Sequence, residues 1–133
     1  MTAAIVGAWR TTVTIEGVSP FVNLTSFSDD GIVLNAFPTP SPAPAGSAHK
    51  LEFFTTAVGA WKESVPAKVD LTFETLGVDE NGNPIGSHVI SASVAVATDG
   101  STWSGPFTLA ILDPAGKPAG SVSGTVSAIR IAP

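Results

Sequence analysis

Ile5-Val6-Gly7-Ala8-Trp9, the Gly-x-Trp that opens the first apolar segment, sets the phase in which the rest of the chain is read. At a period of two, Ile5, Gly7, Trp9, Thr11, Val13 and Ile15 share one face, and Arg10, Thr12, Thr14 and Glu16 share the other. That alternation is the signature of a strand covered on one side only. The last segment repeats it: Val122, Gly124, Val126, Ala128 and Arg130 alternate with Ser121, Ser123, Thr125 and Ser127.

Between these ends the pattern recurs at short intervals. Phe21 to Phe27 and Ile32 to Phe37 read as strands joined by the tight turn Ser28-Asp29-Asp30-Gly31. Val58 to Lys62 echoes Val6 to Arg10. Val69, Leu71 and Phe73 alternate with Lys68, Asp70, Thr72 and Glu74, and an Asn81-Gly82 turn follows. His88, Ile90, Ala92, Val94 and Val96 share a face, as do Trp103, Gly105, Phe107, Leu109 and Ile111. Pro106 lies on the outer side of that strand and is expected to mark a bulge. Residues 38–48, rich in Pro and Ala, cannot supply a ladder, because proline has no N–H to donate. They read as a long loop, continued by residues 49–54 as a short helix or as the start of the next strand. About eight sequential strands, each with one greasy side, predict a single all-β domain over 1–133: an eight-stranded antiparallel up-and-down β-barrel.

The Gly-x-Trp at residues 7–9 and the Arg130 of the last strand resemble the pair that marks lipocalins and their calycin relatives. The turns Asp79-x-Asn81-Gly82-Asn83, Asp99-Gly100-x-Thr102-Trp103-Ser104-Gly105 and Asp113-Pro114-x-Gly116 resemble those of small bacterial calycin-like barrels. The resemblance covers nearly the whole chain. It implies a guanidinium packed over the Trp9 indole, joining the first strand to the last. Cation–π attraction there is worth about 0.5–2 kcal/mol. Avidin-type barrels share the Thr-Trp-Ser-Gly run, but the aromatic set of a biotin pocket is missing. The Pro/Ala-rich segment has no counterpart in the family pattern, and an architecture that hosts carriers, inhibitors and enzymes implies no single function.

Composition narrows the classes. With no cysteine there are no disulfides, no thiolate catalysis and no cysteine metal site. A formal charge of −5 disfavours nucleic acid and anionic membrane surfaces as partners. No long apolar run or leader-like segment is present, so the expected location is the cytoplasm, or outside the cell had a leader been removed. No Ser–His–Asp order, phosphate loop or dinucleotide signature occurs, and no cofactor is expected.

In a meander of this kind Trp9, Trp61, Trp103 and Arg130 fall at one end and plug it. The other end carries the longer connections and is the expected mouth, with the Pro-rich segment over it. His88 points inward near that mouth, beside Phe73 and Thr75. Desolvation would keep its ring neutral, fit to act as a general base, to donate a hydrogen bond to a ligand, or to serve as a satisfied core histidine. Ile90, Phe107 and Leu109 are expected to line the cavity, with Phe53 of the loop reaching it. Asn23 and Asn35 are candidates for polar contacts there; His49 is either a solvated loop residue or part of a lid. Two histidines without inward carboxylates make no metal site. Glu63 shares the phase of Trp61, and a link to Arg130 is one reading of it.

Three functions follow: a binding module for a small hydrophobic molecule; a cofactor-independent lyase, isomerase or cyclase using His88 in the same cavity; or a filled barrel acting as a scaffold. The expected assembly is a monomer or homodimer.

Overall fold

The computed structural model describes residues 2–133. Its described residues contain ten strands and no helix. They are β1 (Gly7–Thr14), β2 (Phe21–Phe27), β3 (Ile32–Ala36), β4 (Ser41–Pro42), β5 (Leu51–Phe54), β6 (Ala57–Val65), β7 (Lys68–Asp79), β8 (Pro84–Val96), β9 (Thr102–Leu112) and β10 (Pro118–Arg130). Eight of them close into an antiparallel ring in the order β1-β2-β3-β6-β7-β8-β9-β10, and β10 returns to β1. Closure removes the unpaired sheet edge that an open meander would present.

The seam between β1 and β10 pairs Trp9 with Arg130 and runs to Thr14 opposite Thr125. Trp9 is wholly buried, and its indole N–H donates to the Ile5 carbonyl at 2.8 Å. The Arg130 guanidinium carbon lies 4.2 Å from the centre of that indole. Its Nε donates to Gly100 O and its Nη1 to Val6 O, both at 3.0 Å, and its Nη2 donates to Ala4 O. One side chain thus ties the segment before β1 to the β8–β9 turn. Gly7 makes room for it: a Cβ there would sit 2.7 Å from Arg130 Nη1, and its φ of +133° is one that side chains resist. Glu63 takes no part; it is exposed and forms no ion pair among the described residues.

The core lies at this end. Trp9 and Trp103 meet edge to face at 6.0 Å, and Phe27 makes the same contact with Trp103 at 5.9 Å and with Trp61 at 6.0 Å. Val33, Val69, Val94 and Ala128 fill the gaps between them. Trp61 is only half-buried and secures itself by donating to Ser28 O at 2.9 Å.

Two local expectations change. Pro106 marks an interruption, not a bulge: pairing of β8 with β9 stops at Ala92–Phe107 and resumes at Ala95–Ser104 in unchanged register. A residue without an N–H can leave a rung empty without adding a residue to either strand. Residues 49–54 are neither helix nor the start of β6. Residues 51–54 form β5, which pairs Glu52, Phe53 and Phe54 with Asp79, Val78 and Gly77 at the far end of β7. By that height β6 has already left β7, whose last pair with it is Glu74–Val58. The β4–β5 hairpin supplies the wall that β3 and β6 are too short to build, and it does so with Ser41 and Pro42 of the proline-rich segment paired to Glu52 and Leu51.

Candidate functional site: the barrel interior

The connections at residues 15–20, 37–56, 80–83 and 113–117 gather at the end opposite the indoles. Beneath them lies a cavity of about 650 Å³, within the range of small-molecule sites. Its walls differ in kind. On β7, β8 and β9 it is mainly apolar, with Phe73, Ile90, Phe107 and Leu109 beside Thr75 and His88. On β1, β2 and β3 it presents Thr11, Asn23, Thr25 and Asn35, all of them buried.

Those four make one network. Asn35 Nδ2 donates to Asn23 Oδ1 at 3.1 Å and to Thr25 Oγ1 at 2.9 Å, and the Thr25 and Thr11 hydroxyls lie 2.8 Å apart. The register explains the grouping, since Thr11 pairs with Asn23 and Thr25 with Asn35 across adjacent strands. Asn23 Nδ2 and Asn35 Oδ1 have no partner among the described residues, yet neither is sealed off. A donor and an acceptor on an otherwise satisfied wall therefore remain free toward the cavity. Deeper in, the Trp103 indole N–H is fully enclosed with no partner among the described residues. Such a donor costs about 1–3 kcal/mol if nothing accepts from it.

Phe107 lies flat against its wall because Gly124 on β10 stands opposite it; a Cβ there would be 2.7 Å from the ring. The glycine keeps space in the cavity that the aromatic would otherwise occupy.

The mouth is aromatic and proline-lined. Phe54 lies 4.6 Å from the His88 ring, tilted by 33°, and Phe37 follows at 5.9 Å from Phe54. Pro38, Pro40 and Pro42 complete this side. His88 sits on β8 opposite Thr75 and faces the cavity. Burial holds its imidazole below the ordinary value of 6.5, partly countered by the Glu52 carboxylate. The ring is neutral near pH 7, and no hydrogen bond engages it among the described residues. Thr75 is spent on Thr55, whose carbonyl and hydroxyl both lie within its reach.

Phe53 is the residue misplaced by the sequence reading. It is half-buried and does not line the cavity; Phe54 does. The sequence signal for Phe54 was Gly77, an inward position of β7 left empty for a ring to cover: a Cβ on Gly77 would lie 2.6 Å from Phe54 Cε1. His49 is also outside the lining and touches it only through Glu52, 2.9 Å away. Asn23, Asn35, Phe73, Thr75, His88, Ile90, Phe107 and Leu109 all border the cavity. Thr11, Thr25, Phe37 and Glu52 do so too, unanticipated. A second hollow of about 570 Å³ lies on the outside of β6 to β9, next to the rung that Pro106 empties. Its Asp70 is already engaged by Ser93 at 2.8 Å.

Among the described residues no group of three or more His, Asp or Glu side chains is placed to hold a metal, and no helix is long and apolar enough to cross a membrane. No protein-family model, curated protein or solved structure matches the chain.

Proposed function

We propose that this barrel binds a small, largely apolar molecule in its interior, in the manner of the lipocalins and calycins that its Gly-x-Trp and Arg130 resemble. The observation that carries the reading is the interior cavity of about 650 Å³, with the Trp103 indole at its floor and a proline-rich hairpin over it. Rigid prolines and stacked rings at a mouth lose little entropy when a ligand arrives. The open interior weighs against a filled scaffold barrel. The test is a thermal-shift and Trp-fluorescence screen with terpenoid, fatty and aromatic compounds. A true ligand at 100 times its Kd adds about 2.7 kcal/mol of stability. If no compound in the three classes raises the melting temperature or alters the emission, the reading is lost.

A second reading rests on one further observation, a neutral and unengaged His88 at the edge of an apolar chamber. In a cofactor-independent lyase, isomerase or cyclase it would accept a single proton or donate a hydrogen bond to one oxygen, while the walls hold the substrate in a reactive shape. In that case His88→Ala abolishes turnover and leaves affinity within about twofold.

A further inference from the structure

The two-faced interior says more about the ligand than its size does. Among the described residues that line the cavity, Glu52 is the one acidic side chain and none is a lysine or arginine. A carboxylate drawn inside would lose its water, meet no lysine or arginine and pass Glu52 at the mouth, a combination that disfavours entry. The wall of β1 to β3 meanwhile offers one donor, Asn23 Nδ2, and one acceptor, Asn35 Oδ1, that have no partner among the described residues. Asn35 holds Asn23 and is itself held by Thr25, whose hydroxyl meets that of Thr11, so little reorganisation is needed to receive a partner. Phe73, Ile90, Phe107 and Leu109 face them across the chamber.

Resting on the binding reading above, we infer that the ligand is an uncharged molecule with an apolar body and one donor–acceptor group, of the lactam, carboxamide or hydroxyketone kind, set against Asn23 and Asn35; fatty acids and other carboxylates are excluded. The apolar body lies on the β7–β9 wall, and the polar group replaces the water those two amides would otherwise hold.

Three probes of nearly equal shape separate the possibilities: 2-naphthamide, 2-naphthoate and 2-methylnaphthalene, titrated at pH 7 by Trp fluorescence and calorimetry. The amide is expected to bind at least about 30-fold more tightly than the carboxylate. Asn23→Leu is expected to weaken the amide about 10-fold and to leave 2-methylnaphthalene unchanged or tighter. Should that variant fail to fold, the side-chain NH₂ resonances of Asn23 in the unaltered protein give the same answer: they shift with the amide and not with the hydrocarbon. Equal affinity for amide and carboxylate, an equal loss for every probe on Asn23→Leu, or unmoved Asn23 resonances overturns the inference. Fatty acids that bind while the amide does not overturn it alone and leave the binding reading standing. Silence from all three probes and from the wider screen removes both.

Discussion

Three indoles occupy the closed end, and their N–H groups have different fates. Those of Trp9 and Trp61 are matched to carbonyls, whereas that of Trp103 is enclosed with no partner among the described residues. Replacing each by phenylalanine should therefore cost different amounts. Trp9→Phe loses a buried hydrogen bond, the face that Arg130 covers and ring contacts, together about 2–3 kcal/mol. Trp103→Phe loses comparable packing but also removes an unpaired donor, and is expected to cost at least about 1 kcal/mol less. Urea unfolding of the two variants decides it. His88 provides a pH test. Burial lowers its pKa, so the folded state prefers the neutral ring. As pH falls below the ordinary 6.5, the unfolded chain takes up a proton that the folded chain refuses. Stability drops from there downward and levels off once His88 itself titrates. Urea midpoints between pH 5 and 8 should show this slope, and His88→Leu should flatten it.

At the scale of elements, the β4–β5 hairpin is held from outside the ring. The Glu80 carboxylate accepts from Lys50 N at 2.8 and 3.2 Å and from Leu51 N at 3.4 Å. The bond from the Lys50 N–H is the main reason its pKa lies below the usual carboxylate range; Asp79 beside it is lowered chiefly by the N–H of Asn83. Both contributions are complete above the ordinary carboxylate pKa and disappear as pH falls through the lowered folded values. Glu80→Gln keeps the shape and removes the charge. Faster hydrogen exchange at Lys50 and Leu51 is expected, with the melting temperature scarcely changed, because the anchor is exposed and local. Equal exchange in variant and parent would show that the hairpin is held by its rings alone. The hairpin is also where sequence reading lost its phase. Alternation can be followed only while a strand lasts, and residues 55–56 separate β5 from β6. No phase carries from β6 across that break to tell Phe53 from Phe54, and it is Phe54 that lines the cavity.

For the molecule as a whole, the ring of strands and its plugged end were legible because β1 and β7 to β10 are apolar inside and polar outside. β2 and β3 reverse that rule. Asn23, Thr25 and Asn35 point in, while Leu24 and Leu34 point out at 51% and 41% exposure. A hydrophobicity count applied to these strands alone would turn them inside out; only Phe27 and Val33 fix their facing. The inversion is the same feature that makes the chamber polar on one wall, so the least readable strands carry the most specific part of the site. Closure itself should be cooperative. Arg130→Gln leaves the carbonyls of Ala4, Val6 and Gly100 short of a donor and is expected to cost about 2–4 kcal/mol, of which Arg130→Lys restores only part. Circular dichroism and Trp emission should still report a single coincident transition in both variants.

The seam that joins β1 to β10 also dictates how the chain can be born. Trp9 is made more than a hundred residues before the partner it needs. Throughout that interval a nascent meander carries two raw margins, one on β1 and one on the strand most recently released, each able to recruit a neighbouring polysome's product. A polypeptide stalled before Arg130 is accordingly a candidate for co-translational aggregation and for chaperone capture, and its solubility on release should rise abruptly once the final strand is complete.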